Sequence, residues 1–245
     1  MRLWIFDLDG TLVSSGIDYD RALMHFVLLM LDVLEHRAPR SGGILWLVNK
    51  IDKDRFKEMR ADKRRFPGSL VECYRQLCSR AEIPIDHGVE QQCWDLGYSA
   101  LSEGTYRDRS MILGAAEALQ FLLDQGLLIF CVTAGDPEVQ WMKWRGYNLR
   151  RFFPTPCEFR VVRWDKEDTL RRLLKENPGA TGCMVGDSIG SDLCPAYKVG
   201  LTPVYVPNPG TWDHGELVEG FPPGTVRLEQ ISEITALWGR FSRLG

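Results

Sequence analysis

A pair of aspartates near the start of the chain stands directly after a short apolar run. The run is Leu3–Phe6, and the acids are Asp7 and Asp9, with Gly10 next. If the run is a buried strand, both acids face the same side, because alternate side chains of a strand share a face. Two carboxylates this close are costly unless a cation neutralises them, and hard oxygen ligands suit Mg²⁺. The pattern predicts a magnesium-binding acid pair, although a solvated Asp-Gly turn accounts for it as well.

A second pair of acids follows another apolar run, Gly182–Val185. Asp187 comes just after this run and Gly186, and Asp192 follows in the same loop. An aspartate at the end of a buried strand is a typical metal-ligand position, and a later acid can orient that ligand or a metal-bound water. The alternative is that Asp187 or Ser188 caps a helix.

Two further residues occupy positions suited to holding a phosphoryl group. Thr133 follows the apolar run Leu127–Val132 and precedes Ala134, so it offers a hydroxyl beside free backbone N–H groups. Lys166 lies at the start of a predicted helix, where a cation can offset charge on a nucleophile and on a phosphoryl group. Taken singly, Thr133 also fits an ordinary turn and Lys166 a solvated surface position, and Arg163 competes with Lys166 for this role.

The elements that position these residues form an alternating pattern of strands and helices. The apolar runs are short and bounded by turn residues, which is typical of buried parallel strands. Helical periodicity lies between them at Ala115–Gln125 and Thr169–Lys175, and one more strand is predicted at Pro203–Val206. Strand–helix–strand units of this kind build a doubly wound, Rossmann-like parallel sheet, whose ligands bind beyond the carboxyl ends of the strands. We expect an α/β fold with all the motifs at that edge, followed by a Pro/Gly-rich loop and a terminal helix from about Glu229.

A long segment between the first and second of these strands has helical character and few β-branched runs. We predict that it forms a smaller all-helical domain, residues 15–109, and that residues 1–14 and 110–245 form the core domain. A chain of 245 residues is long enough for one large domain with such an insertion. The predicted helices of the insertion are Asp18–Leu34, Asp52–Arg64, Ser69–Ala81 and Gly88–Ser102, with breaks at Pro39, Ser41-Gly42-Gly43, Pro67-Gly68 and Pro84.

The composition argues against several classes of partner. A net charge of -3 gives no basic field that would gather nucleic acid. The most apolar stretch, residues 22–34, is far shorter than the ~20 residues that span a bilayer, and the N-terminus lacks the pattern of a signal peptide. The 7 cysteines include no C-x-x-C pair, which favours free thiols in a reducing compartment. We therefore expect a cytoplasmic protein; the sequence leaves its oligomeric state open.

The four motifs, in this order, resemble those of the haloacid dehalogenase superfamily. Asp7–Leu12 matches D-x-D-G-T-[LV], Thr133 ends a hydrophobic strand, Lys166 follows, and Gly186–Asp192 matches G-D-x-x-x-x-D. The insertion agrees in position and helical character with the helical cap that phosphoglycolate-phosphatase-like members carry between the first two motifs. The resemblance covers residues 1–14 and about 110–210.

The resemblance implies a Mg²⁺-dependent, two-step phosphoryl transfer. Asp7 is the nucleophile that forms an aspartyl-phosphate, and Asp9 is the general acid and base. Thr133 and Lys166 hold the phosphoryl oxygens. The implied metal ligands are the Asp7 carboxylate, the Asp9 backbone carbonyl and the Asp187 carboxylate, supported by Asp192.

Asp9 also narrows the reaction class that the resemblance implies. Dehalogenases and phosphonatases of this superfamily lack the second acid, so its presence favours hydrolysis of a small phosphorylated metabolite. A phosphomutase acting on sugar phosphates and a non-catalytic binding protein are the alternatives. Phosphoglycolate, a sugar phosphate and a nucleoside monophosphate all remain possible substrates, and Ala134 stands where many relatives have Asn. Pocket candidates in the insertion are Trp46, Arg60, Arg64 and Trp94.

Overall fold

The computed structural model describes residues 2–14, 16–107, 109–155, 157–208, 220–236 and 238. These residues fall into two compact units. One lies within Met1–Ser15 and Tyr106–Gly245, and the other within Gly16–Thr105.

The first unit is built on a parallel sheet of six strands. Their order across the sheet is β3-β2-β1-β4-β5-β6, and every neighbouring pair is parallel. The order reverses between β1 and β4, which is the position where doubly wound folds bind their ligands. The predicted α/β class with a doubly wound parallel sheet is confirmed. The strands are β1 Arg2–Phe6, β2 Leu128–Ala134, β3 Phe159–Val162, β4 Thr181–Gly186, β5 Thr202–Tyr205 and β6 Val226–Arg227.

Strand β1 is apolar on both faces because it lies at the centre of the sheet. Leu3 and Ile5 face a core that includes Leu170 and Leu173 of the helix before β4. Trp4 and Phe6 point to the opposite face, where their rings stack with centroids 6.3 Å apart. This continuous burial explains why the sequence shows an unbroken apolar run rather than an alternating one.

Helices connect these strands and cover the sheet. Asp136 caps the N-terminus of α7, since its carboxylate accepts hydrogen bonds from the backbone N–H groups of Glu138 and Val139. Lys166 occupies the N-cap position of α8. The helices are α6 Ala115–Asp124, α7 Pro137–Gly146, α8 Glu167–Glu176, α9 Cys194–Lys198 and α10 Glu233–Ala236, with a 3₁₀ turn at Leu149–Arg151 and a π-helical turn at Ile189–Leu193.

The second unit is helical and has its own hydrophobic core. Phe26, Leu47, Leu70 and Tyr74 are among the fully buried side chains at its centre. None of the described helices combines the length and the apolar character that a membrane span requires. The helices are α1 Gly16–Leu34, α2 Ser41–Met59, α3 Arg65–Ala81 and α4 His87–Ser99. A 3₁₀ turn, Glu35–Arg37, lies between α1 and α2, and the short helix α5 Glu103–Tyr106 lies at the boundary of the two units in the sequence.

Two of the predicted helix breaks are wrong. Helix α2 begins at Ser41 and contains Gly42, because glycines are tolerated near a helix start and the following turns bury Ile44 and Leu47. Helix α3 begins at Arg65 and has Pro67 in its first turn, where proline removes no helical hydrogen bond.

The remaining sequence predictions have mixed outcomes. The sequence did not predict α7, β3, α9 or β6, and the expected terminal helix is described only as the short α10. The Pro/Gly-rich segment lies largely outside the described residues. All seven cysteines are free, as predicted, and burial raises the pKa of Cys73 and Cys93 to about 12, which keeps these thiols unreactive.

Replacing Leu170 with alanine tests how firmly α8 is held on the sheet. The side chain is fully buried against β1 and β4, so Leu170→Ala should lower the free energy of unfolding by about 2–5 kcal/mol. The matched control is Leu113→Ala, because Leu113 is 87% exposed and its loss should change stability by no more than about 0.5 kcal/mol. Urea unfolding measures both, and equal effects would contradict this packing.

Candidate active site

Three buried carboxylates meet where β1 and β4 end. Asp7 follows β1, Asp187 follows β4, and Asp192 lies in the π-helical turn after it. One oxygen from each lies within 4.8 Å of the others. The two strands are hydrogen-bonded neighbours, and the Asp7 backbone N–H donates to the Val185 carbonyl at 2.9 Å, so the acids are brought together by the sheet itself.

Lys166 neutralises part of this acidic cluster. Its Nζ donates to Asp7 Oδ1 at 2.5 Å and to Asp192 Oδ1 at 2.6 Å. The residue is only 2% exposed, whereas Arg163, the competing candidate, is exposed. The structure therefore brings Lys166 to the strand ends, bonded to the predicted nucleophile.

Burial and the neighbouring charges shift the pKa values of all three partners. Desolvation raises the pKa of Asp7 to about 7, and the Asp192 charge adds to this while Lys166 opposes it. The pKa of Asp192 is raised for the same first reason. For Lys166, burial acts to lower the pKa, but the carboxylates of Asp192 and Asp7 outweigh it, so the pKa lies above its ordinary value. One lysine thus compensates the carboxylates incompletely.

Two glycines allow the acidic side chains to approach the backbone. Gly10 has φ of +82°, and a Cβ on it would lie 2.2 Å from Asp187 Oδ2 and 2.7 Å from Asn208 Nδ2. A Cβ on Gly186 would lie 2.3 Å from Asp192 Oδ2. Any larger residue at either position would displace the metal-ligand candidates, which explains the glycine in each motif.

Asp9 lies in a different environment from Asp7. Lys143 Nζ donates to both of its carboxylate oxygens at 2.7 Å, and Gln140 Nε2 donates to Oδ2 at 2.9 Å. The Asp9 side chain is 31% exposed, so solvent reaches it. Its carboxylate is not part of the three-acid cluster, so the expected pairing of the Asp7 and Asp9 carboxylates on one cation is not observed.

Sequence reasoning missed Lys143 and Gln140. The sequence does carry a signal for their helix, because Asp136-Pro137 is a common N-cap and first-turn pair. Within that helix, two polar residues spaced three apart occupy the buried face. Polar side chains on a buried face need partners, and here these partners are at the strand ends.

Thr133 is fully buried at the end of β2. Its hydroxyl accepts a hydrogen bond from Gln140 Nε2 at 2.9 Å, and the same amide donates to the Ala134 carbonyl at 3.0 Å. Gln140 therefore links the second motif to Asp9 of the first.

The donor set suits a hard divalent cation. Asp7, Asp187 and Asp192 supply only oxygen atoms, which Mg²⁺ prefers. Desolvation raises the pKa values of Asp7 and Asp192, and repulsion from the neighbouring carboxylates adds to the rise. The carboxylates of Asp7 and Asp187 are thus brought together as predicted, with Asp192 beside them.

The pocket candidates of the helical unit differ in how they are held. Trp46 is exposed with Lys50 over its ring, and Trp94 is partly buried. Arg60 has a positive φ of 52° and packs its guanidinium over Phe56. The exposed Arg64 is bonded to Asp62 through two of its nitrogens.

No family model and no curated protein matches this sequence, but solved structures match its fold. A haloacid dehalogenase-like family hydrolase from Xanthomonas campestris is 21% identical, with a TM-score of 0.71, and the match covers 98% of this chain and 91% of that one. The chain has the haloacid dehalogenase fold. The putative HAD-hydrolase YfnB from Bacillus subtilis, bound to magnesium, is 17% identical with a TM-score of 0.61, and the match covers 97% of this chain and 98% of that one.

The matches to the haloacid dehalogenase fold include more than one reaction class. A predicted phosphoglycolate phosphatase from Haemophilus somnus is 18% identical with a TM-score of 0.59, and the match covers 96% of this chain and 97% of that one. Haloacid dehalogenases match the fold as well. The fold alone therefore does not choose between phosphate and halide chemistry, and the choice depends on the residues of the site.

The raised pKa of Asp7 predicts a specific pH dependence of stability in chelator. An aspartate in the unfolded chain has a pKa of about 4, whereas that of folded Asp7 is about 7. The folded state thus binds an extra proton between these values, so the wild type should lose stability relative to Asp7→Asn as pH rises from about 4 to about 7. Thermal unfolding of both proteins across this range measures the difference.

Asp54 provides the control for this measurement. Its pKa is lowered by hydrogen bonding to Lys57 at the surface. The wild type should therefore gain stability relative to Asp54→Asn as pH rises through the acidic range, and only slightly, because solvent screens the pair. A pH-independent difference for Asp7→Asn would contradict the raised pKa.

Proposed function

We propose that the chain is a Mg²⁺-dependent phosphatase that hydrolyses a small phosphorylated metabolite through an aspartyl-phosphate on Asp7. The observation that carries the proposal is the pair of acids after β1, which lie two residues apart in separate environments. Asp7 lies in the buried acidic cluster with Lys166, and Asp9 lies outside it with Lys143 and Gln140. Two carboxylates placed differently can serve as nucleophile and as proton-transfer group.

The ligands proposed for Mg²⁺ are the carboxylates of Asp7 and Asp187 and the backbone carbonyl of Asp9, with Asp192 in support. When bound, the cation offsets the negative charge that would otherwise repel a phosphate ester from the carboxylates. The structure of the same fold from Bacillus subtilis is bound to magnesium, which supports Mg²⁺ as the cation of the proposal.

In the first step, a carboxylate oxygen of Asp7 attacks phosphorus and the bond from phosphorus to the leaving oxygen breaks. Asp9 donates a proton to that oxygen, so the product leaves as an alcohol. In this proposal, Lys166 and the Thr133 hydroxyl hold phosphoryl oxygens as charge is redistributed over them.

In the second step, Asp9 accepts a proton from a water molecule, whose oxygen attacks the phosphorus of the aspartyl-phosphate. The bond from phosphorus to Asp7 breaks, which releases inorganic phosphate and regenerates the carboxylate. Asp9 has solvent access for this role, since a third of its side chain is exposed.

Asp9 favours this reaction over halide removal, because a dehalogenase has no leaving oxygen that needs a proton. The phosphomutase alternative predicts interconversion of sugar phosphates with little release of phosphate. An assay of both activities on one sugar phosphate separates the two.

Phosphate release from a panel of phosphorylated metabolites, with Mg²⁺ and with excess EDTA, tests the proposal. We expect turnover that needs Mg²⁺, and Asp7→Ala should abolish it together with any phosphorylated enzyme, because the nucleophile is gone. The control is Asp124→Ala, which removes an exposed carboxylate of α6 and should leave turnover unchanged. Full turnover in EDTA, or in Asp7→Ala, would overturn the proposal.

Asp9→Asn tests the proton-transfer role separately. The amide has a similar shape and keeps the backbone carbonyl, but it cannot donate the proton to the leaving oxygen. We expect a loss of ~10²–10⁴-fold with an alkyl phosphate. The loss in single-turnover phosphorylation should be smaller with p-nitrophenyl phosphate, whose leaving group needs little protonation, and equal losses would mean that Asp9 is structural.

A further inference from the structure

Two buried side chains of α7 hold the carboxylate of Asp9. We propose that Lys143 and Gln140 are positioning residues, which fix this carboxylate beside Thr133 so that it can transfer a proton at the phosphoryl site. The inference rests on the proposed function, in which Asp9 is the general acid and base. It assigns a role at the site to two residues, Lys143 and Gln140, that lie outside the four motifs.

Lys143 donates hydrogen bonds to both carboxylate oxygens of Asp9. The two Nζ–oxygen distances are both 2.7 Å, and the lysine is only 4% exposed. Contact with both oxygens fixes the direction of the carboxylate as well as its distance. The Nζ also lies 5.7 Å from the centre of the Tyr106 ring, which gives the cation a second favourable contact. A buried ammonium group is costly without such partners, so it is held firmly on Asp9.

Gln140 links Asp9 to Thr133. Its Nε2 lies 2.9 Å from Asp9 Oδ2, 2.9 Å from Thr133 Oγ1 and 3.0 Å from the Ala134 carbonyl oxygen. The amide Oε1 is buried and has no hydrogen-bond partner among the described residues. The reverse orientation of the amide would place Oε1 against these three oxygens, so the nitrogen faces them.

The backbone around α7 leaves this arrangement little freedom. A Cβ on Gly135 would lie 2.5 Å from Gln140 Nε2, so the amide fills the space beside the end of β2. At the other end of the helix, a Cβ on Gly146 would lie 2.5 Å from the Tyr106 Cβ. The Tyr147 hydroxyl donates to the Ser14 carbonyl at 3.1 Å, which ties the end of α7 to the segment that carries Asp9.

A defect in positioning has a different signature from a loss of folding. Proton transfer depends steeply on distance, and a displacement of about 1 Å can cost about 100-fold in rate. The loss should appear where the leaving oxygen needs a proton and should be small where it does not. A side chain that only stabilises the fold would lower both rates alike.

The test compares Lys143→Met, Lys143→Arg and the control Lys175→Met, which removes an exposed lysine of α8. In single-turnover phosphorylation with Mg²⁺, Lys143→Met should lose about 10–100-fold with an alkyl phosphate and far less with p-nitrophenyl phosphate. Lys143→Arg, which keeps the charge, should recover most of the rate, and the control should match the wild type. Equal losses for both leaving groups, or no loss, would overturn the proposal. If Lys143→Met does not fold, Lys143→Gln, which keeps a donor, is compared in the same way.

A second measurement separates this inference from the proposed function. Thermal unfolding of Asp9→Asn, Lys143→Met and the double variant reports whether the two side chains are coupled, whatever the protein's activity. We expect the effects on Tm to be non-additive. Additive effects in an active enzyme would overturn the positioning role alone. The effects on Tm could also be non-additive while the wild type hydrolyses no phosphate ester. That result would overturn the proposed function, and with it the role in proton transfer, but it would leave the Asp9–Lys143 contact established.

Discussion

The site depends on burying several carboxylates together at one edge of a parallel sheet. Removing a carboxylate from water costs several kcal/mol unless charges and hydrogen bonds replace the solvent. Lys166 supplies part of this compensation by bonding to Asp7 and Asp192, and the Ser188 backbone N–H donates to Asp192 as well. The pKa values of both acids are still raised by burial. A cluster of buried oxygen ligands with this incomplete compensation is compatible with a bound divalent cation.

The parallel sheet makes this crowding possible. Strands β1 and β4 are adjacent and aligned, with Phe6 opposite Val185, so the residues that follow them emerge side by side. The strand order reverses at this pair, which is the position where doubly wound folds bind their ligands. Gly10 and Gly186 then let the acidic side chains lie against the backbone. The sheet order, the strand register and the two loop glycines together allow the three carboxylates to lie close to one another.

Separate environments give two neighbouring acids different properties. Asp7 is buried among like charges, whereas Asp9 is partly exposed and bonded to Lys143 and Gln140. Asp9 directly precedes the turn at Gly10, and its carboxylate is bonded to side chains of α7 rather than lying in the acidic cluster. The partners of the two acids therefore come from different helices. Lys166, at the start of α8, bonds to Asp7, and α7 supplies the partners of Asp9.

The sequence by itself determined the α/β class, the strands that end in the motifs, and the meeting of Asp7 with Asp187. These follow from local patterns, since an apolar run predicts a buried strand and parallel strands share a carboxyl edge. The start of α2 was not predictable from its glycines, because the apolar face that follows them overrides the local preference. Only the tertiary structure decided the partners of Asp9, because Gln140 and Lys143 lie 131 and 134 positions away. Local sequence specifies which elements form, but contacts between distant elements depend on how those elements pack.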